Sequence, residues 1–166
     1  MHEAHHHKVI TLLRRALLGL AVAGIGGTAA ELIMLRHWDG AEQLIPWGAL
    51  AVMSALVGLV VARPTGSVLK VARVIALVAA CSGAYGLIGH AEANFHAGPL
   101  DAVYGPKWAT MTSAARWWTA GTGGVGPSPP LAPAILTQIA LSIFFATHAY
   151  PRADVVEMVA DDSARS

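Results

Sequence analysis

Four long runs of apolar residues, almost free of charged side chains, constrain this chain more than any other feature. The runs cover residues 16–35, 44–62, 72–90 and 131–150. A helix rises about 1.5 Å per residue, so each run approaches the roughly 30 Å thickness of a bilayer hydrocarbon core. Helices are required there because lipid offers no partner to unpaired backbone N–H and C=O groups. The pattern predicts an all-α integral membrane protein, a bundle of four transmembrane helices.

Composition supports this class. Hydrophobic residues make up 55% of the 166 residues and charged residues only 13%, whereas soluble domains carry about 25% charged residues. The abundance of Ala, Gly, Val and Arg indicates a bacterial protein of the inner membrane. The formal net charge of +1 gives no field that would attract nucleic acid, so no nucleic-acid partner is expected. A lone cysteine, Cys81, excludes an internal disulfide.

Basic residues set the expected orientation, because cytoplasmic segments of membrane proteins carry an excess of Lys and Arg. With the amino terminus inside, eight basic residues lie on the inner side and three, Arg36, Lys107 and Arg116, on the outer side. Both termini are therefore predicted to be cytoplasmic, as tails 1–15 and 151–166 around a membrane domain 16–150. Tryptophan rings favour the membrane interface, and five are expected as anchors on the outer side: Trp38, Trp47, Trp108, Trp117 and Trp118.

The outer connection, residues 91–130, is longer than two antiparallel helices need. Within it Trp108, Met111, Ala115 and Trp118 recur at helical spacing. This spacing predicts a short helix that lies in the membrane interface and covers the outer end of the bundle.

Small residues form two rows at helical spacing, of the kind that lets membrane helices approach closely. Each row leads to an ionisable residue, Glu31 in the first helix and His90 in the third. Because both residues fall near the outer ends of their helices, we expect them to face each other. The rows are Gly19, Ala23 and Gly27, and Ala76, Ala79, Gly83 and Gly86.

A metal or haem site is one hypothesis for the outer polar residues, since His and carboxylate together suit zinc, copper or iron. The stronger candidate ligands are Glu31, His37, His90 and His96, and the weaker ones are Asp39, Glu42 and Glu92. The alternative is structural: Glu31 pairs with His90 or Arg36 and fixes helix register, since intramembrane acids rarely stay unpaired. No His-Glu-x-x-His or Cys-x-x-Cys pattern chooses between these interpretations.

Two segments carry a resemblance. The first runs from Glu31 through His37-Trp38-Asp39 to Gln43-Leu44-Ile45-Pro46-Trp47, and the second from Leu131-Ala132-Pro133 to His148-Ala149-Tyr150-Pro151. Together they resemble a group of small four-helix bacterial inner-membrane proteins. The resemblance implies the four-helix architecture and no activity.

Function is constrained mainly by what is missing. No nucleotide-binding loop and no Ser, His and acid set appears, which favours a non-catalytic protein over an enzyme. The favoured hypothesis is an accessory or interaction subunit in contact with lipid, assembled with copies of itself or within a larger membrane complex. The rival hypothesis is a redox or metal-handling protein that uses the outer His and Glu residues.

Overall fold

The computed structural model describes residues 2–150, with the backbone alone for residues 2–4 and 42. Over this range the regular structure is entirely helical, which confirms the predicted class. Two short 3-10 turns, Glu42–Leu44 and Gly98–Leu100, accompany the α-helices. The six helices are α1 (His2–Met34), α2 (Ile45–Ala62), α3 (Gly66–Ala97), α4 (Gly105–Trp108), α5 (Ser113–Gly121) and α6 (Leu131–His148).

Four helices, α1, α2, α3 and α6, are long and apolar enough to cross a membrane. The four-span prediction is confirmed at this level. The predicted tail 151–166 lies outside the described residues, and so do Arg152 and Arg165.

Two helices extend beyond their predicted limits. Helix α1 already begins at His2, within the predicted tail, because residues 2–18 contain neither Gly nor Pro to interrupt it. Helix α3 begins at Gly66, where the Thr65 hydroxyl accepts a hydrogen bond from the Val68 N–H. At its other end α3 continues past His90 to Ala97. Its 32 residues would extend about 48 Å, well beyond the hydrocarbon core.

Helix α6 occupies the centre of the bundle. It makes its most extensive contacts with α3 and then with α1, whereas α2 packs more sparsely against α1, α3 and α6. Helices α1 and α3 pack against α6 and share few contacts with each other. The last helix in sequence is therefore the one that holds the bundle together.

The seam between α3 and α6 uses the small-residue row predicted in α3. A Cβ atom on Gly83 would overlap the Thr137 side chain and lie only 2.9 Å from the carbonyl oxygen of Pro133. A Cβ on Gly86 would lie 3.2 Å from Cβ of Pro133. The two backbones therefore approach closely at these positions, as small residues permit.

The corresponding row in α1 lies elsewhere. Gly19, Ala23 and Gly27 are exposed, and nothing lies within 4 Å of a Cβ built on either glycine. The buried face of α1 carries larger side chains, including Leu18 and Leu32, which bury more apolar area. Packing of the exposed row against another chain stays a prediction.

The end of the bundle where α1 begins and α6 ends is here called the terminal end. Two backbone carbonyls at this end accept hydrogen bonds from side chains. Pro64 cannot donate to the carbonyl of Val60, four residues earlier. The Tyr150 hydroxyl donates to that carbonyl instead, at 2.9 Å. Pro151 likewise has no N–H to offer the Thr147 carbonyl.

Arg73 of α3 donates a hydrogen bond to the Thr147 carbonyl. Its guanidinium donates to this oxygen at 2.8 Å and to the Thr147 hydroxyl at 3.2 Å. A cation at the carboxyl end of a helix is also favoured by the helix dipole. Arg73 therefore fixes α3 to the last turn of α6.

Basic residues are concentrated at the terminal end, which carries Lys8, Arg14, Arg15, Arg63, Lys70 and Arg73. The opposite end, called the cap end, carries Arg36, Lys107 and Arg116, together with the described acidic side chains of Glu31, Asp39, Glu92 and Asp101. This excess of basic residues at one end is the observation on which the predicted orientation rests.

Gly83→Ala tests the seam. The new methyl group would press on the backbone of α6, so we expect a loss of about 1–3 kcal/mol in the free energy of unfolding. Gly19→Ala, on the exposed row, is the matched control and should not destabilise the protein. Thermal unfolding of both variants in one detergent measures the difference. Equal unfolding temperatures would contradict the close approach of α3 and α6.

Cysteine labelling tests the orientation, in a chain whose native Cys81 is changed to Ala. Ala102→Cys, exposed in the turn before α4, should react with an impermeant maleimide in intact cells. Ser67→Cys, exposed at the start of α3, should react only after the membrane is permeabilised. The reverse pattern would overturn the predicted cytoplasmic termini.

Candidate functional site at the cap end

The segment 91–130, here called the cap, is organised around Asn94, which is fully buried. Its side-chain amide donates to the carbonyls of Ala120 at 3.2 Å and Ser128 at 2.8 Å. Its oxygen accepts from the N–H of Ser128 at 3.0 Å. One side chain thus ties the end of α3 to the end of α5 and to the loop before α6.

Gly126 lets this loop close over Asn94. Its φ of +78° lies in the left-handed region, which glycine adopts without steric cost. A Cβ at this position would overlap the Asn94 side chain. The loop can therefore pass this close to Asn94 only with glycine at position 126, because glycine adopts the positive φ and has no side chain.

A small aromatic core supports the other side of the cap. Trp108 is buried together with Ala120 and Val125. The Phe95 ring stacks on Trp117, with 4.5 Å between the ring centroids, and meets Trp108 edge-on at 5.6 Å. Such pairs contribute about 0.5–1.5 kcal/mol beyond the area that they bury. The cap therefore has its own packed centre.

The predicted single interfacial helix is replaced by two shorter helices. Helix α4 already ends at Trp108, and Thr112 caps the start of α5, because its hydroxyl accepts from the Ala115 N–H at 3.2 Å. Trp108 and Trp118 consequently do not share one helix face. Trp108 is only 5% exposed, whereas Trp118 is 74% exposed. Trp108 packs against Phe95 and Gly98 instead of lying at the predicted interfacial position.

His90 provides a second attachment between α3 and the loop before α6. Its Nδ1 lies 3.0 Å from the carbonyl oxygen of Pro129, so Nδ1 carries the hydrogen in this contact. The residue four positions after Pro129 is Pro133, which has no N–H for that carbonyl. His90 and Asn94, one turn apart on α3, therefore hold adjacent residues of the same loop.

The expected meeting of Glu31 and His90 is not found. The structure gives no hydrogen bond or ion pair between them, and α6 packs with both of their helices while the helices share few contacts. His90 is instead committed to the loop before α6. The position of α6 between the two helices explains the difference.

The candidate metal ligands remain dispersed. The closest pair, Glu92 and His96, lies 3.9 Å apart on the exposed side of α3. At His37 the backbone carbonyl accepts from the Trp47 indole at 2.8 Å. Asp39 is exposed in the turn between α1 and α2. The side chain of the candidate ligand Glu42 lies outside the described part of the structure, and among the side chains that are described no three of His, Cys, Asp or Glu converge to hold a metal ion.

The predicted tryptophan anchors occupy different environments. Trp38 and Trp117 are each 46% exposed, Trp118 is largely exposed and Trp47 is half-buried. Trp108 is a core residue of the cap. Exposure of the first three is compatible with contact to headgroups or to protein.

Asn94 is the central residue of the site, and sequence reasoning missed it. Its position carried a signal, since it follows His90 by four residues on the helix row that contains Gly83 and Gly86. A polar amide that continues a packed row indicates a buried hydrogen-bonding position. Comparisons with protein-family models, with curated proteins and with solved structures give no match for this chain.

Asn94→Ala tests the organisation of the cap. The change leaves two carbonyls and one N–H without their partner, so we expect the cap to lose about 2–4 kcal/mol of local stability. Amide hydrogen exchange over residues 113–130, measured in nanodiscs, reports the opening of the cap.

Glu92→Ala is the matched control for this experiment. It truncates a polar side chain on the same turn of α3, but Glu92 is exposed. Its surface pair with His96 contributes little to stability, so exchange over the cap should stay at the wild-type rate. Similar exchange in both variants would contradict the central role of Asn94.

Proposed function

We propose that this protein is a non-catalytic accessory subunit of the bacterial inner membrane, with both termini in the cytoplasm and the cap outside. Its cap serves as a recognition surface for a partner membrane protein. The observation that carries the proposal is the packed cap itself: a fully buried Asn94 holds the end of α5 and the loop before α6 in fixed positions. A connection between helices needs no such internal order.

The exposed side chains of the cap support a binding role. Leu100 is 88% exposed, Val103 69% and Trp118 74%, and all three lie outside the apolar runs that would cross the membrane. Large apolar side chains that remain exposed on an ordered surface are typical of interaction sites. Tryptophan is also enriched among the residues that dominate binding energy.

The open faces of the bundle support assembly within the membrane. Helix α2 packs sparsely, and the row of Gly19, Ala23 and Gly27 leaves a shallow groove along α1. Small residues of this kind let a neighbouring helix approach. We therefore propose lateral contacts with another copy or with a larger complex, alongside the contact made by the cap.

The rival metal or haem function has less support, because the described His and acidic side chains form no cluster of three. The exposed pair of Glu92 and His96 is arranged as an ordinary i, i+4 surface pair. Chemistry at the cap would need convergent polar groups, and the polar groups of Asn94 are already used in its internal hydrogen bonds.

Site-specific photocrosslinking in native membranes tests the proposed partner surface. A benzophenone amino acid in place of Trp118 should give a discrete, larger protein adduct. The same probe in place of Val78, exposed at mid-span on α3, is the control for random collision with membrane proteins.

Asn94→Ala should remove the Trp118 adduct, because the surface loses its support. An adduct whose mass equals twice that of the chain would identify the partner as a second copy. Crosslinks to lipid alone at Trp118, or equal protein adducts at both probe positions, would overturn the proposal.

A further inference from the structure

The terminal end holds a guanidinium group, that of Arg14, whose donors have no partner among the side chains that the structure describes. The Arg14 guanidinium carbon lies 4.3 Å from the ring centroid of Tyr150. Cation–π contact of this kind contributes about 0.5–1 kcal/mol at exposed sites. Among the side chains that the structure describes, Arg14 has no hydrogen bond or ion pair in addition to this contact. It is held in place without being neutralised.

Tyr150 is itself fixed, so the Arg14 side chain rests on a rigid support. The Tyr150 hydroxyl donates to the Val60 carbonyl of α2. A guanidinium carries five N–H donors in a planar fork, and the contact of its central carbon with the Tyr150 ring uses none of them as a hydrogen-bond donor. A fork of this kind can bind two oxygens of one phosphate group.

Arg73, at the same end of the bundle, differs from Arg14 in how its N–H donors are used. Its guanidinium donates hydrogen bonds to the carbonyl and the hydroxyl of Thr147, in the last turn of α6. Arg14 instead contacts the ring of Tyr150, which follows Thr147 by three residues. Its N–H donors have no partner among the described residues. Two arginines thus approach the same end of α6, and among the described residues only Arg73 donates hydrogen bonds to it.

The position of Arg14 matches the level of lipid phosphates. Tyrosine rings at the ends of apolar spans lie in the headgroup region, and Arg14 contacts such a ring. Lys8, Arg15, Lys70 and Arg63 are exposed at the same end. Exposed basic side chains clustered beside a bilayer favour a lipid with net negative charge over a zwitterionic one.

We infer that Arg14 forms a binding site for the phosphate of an anionic phospholipid in the leaflet at the terminal end. The Tyr150 ring orients the guanidinium, and the surrounding basic residues select the anionic headgroup. This lipid site lies at the opposite end of the bundle from the cap. It does not depend on whether the cap binds a partner protein.

Native mass spectrometry of the purified full chain tests the inference, with phosphatidylglycerol and phosphatidylcholine of identical acyl chains. The wild-type protein should retain phosphatidylglycerol preferentially. Arg14→Gln should lower this preference about tenfold, the equivalent of one charge-assisted hydrogen bond. Arg15→Gln removes the same charge from the exposed neighbouring position and should lower the preference by less than about twofold, as expected for a surface charge in water.

A second measurement needs no variant. Phosphatidylglycerol should raise the thermal unfolding temperature of the wild-type protein in detergent more than phosphatidylcholine does, and millimolar inorganic phosphate should not remove the difference. Equal effects of the two lipids, or equal losses in Arg14→Gln and Arg15→Gln, would overturn the site. Displacement of the lipid by inorganic phosphate would also overturn it, since a soluble phosphate would then be the ligand.

Discussion

Backbone carbonyls at the helix ends, which have no N–H partner within their own helix, are the groups through which the bundle is tied together. Val60 and Thr147 lie in the last turns of α2 and α6, and Pro129 lies in the loop before α6. Their carbonyls accept hydrogen bonds from Tyr150, Arg73 and His90, in each case a side chain from another part of the bundle. Each of these hydrogen bonds therefore joins two elements.

All three contacts involve α6 or the residues beside it, which agrees with its central position. Where α3 and α6 run together, Gly83 and Gly86 bring the backbones close to Pro133 and Thr137. The ring of Pro133 lies in this seam. The seam in turn places Asn94 beneath the loop that leads into α6, and the cap forms there.

The two ends of the bundle consequently differ in kind. At the cap end, the amide of Asn94 is used in internal hydrogen bonds, whereas Leu100, Val103 and Trp118 remain exposed, as does the surface pair of Glu92 and His96. At the terminal end, Arg73 donates hydrogen bonds to Thr147. Arg14 contacts the ring of Tyr150 and has no hydrogen-bond partner among the described residues. An apolar surface suits a protein partner, whereas an open guanidinium suits a phosphate.

The sequence by itself determined the four spans, because lipid requires continuous helices of about twenty apolar residues and this signal is local. It also contained the α3 packing row, since Gly83 and Gly86 recur at helical spacing. Only the tertiary structure decided that α6 separates Glu31 from His90, that α1 turns Leu18 rather than Gly19 toward the core, and that Asn94 holds the cap. These outcomes depend on which helices become neighbours, and helical spacing defines a face without naming the helix that will cover it.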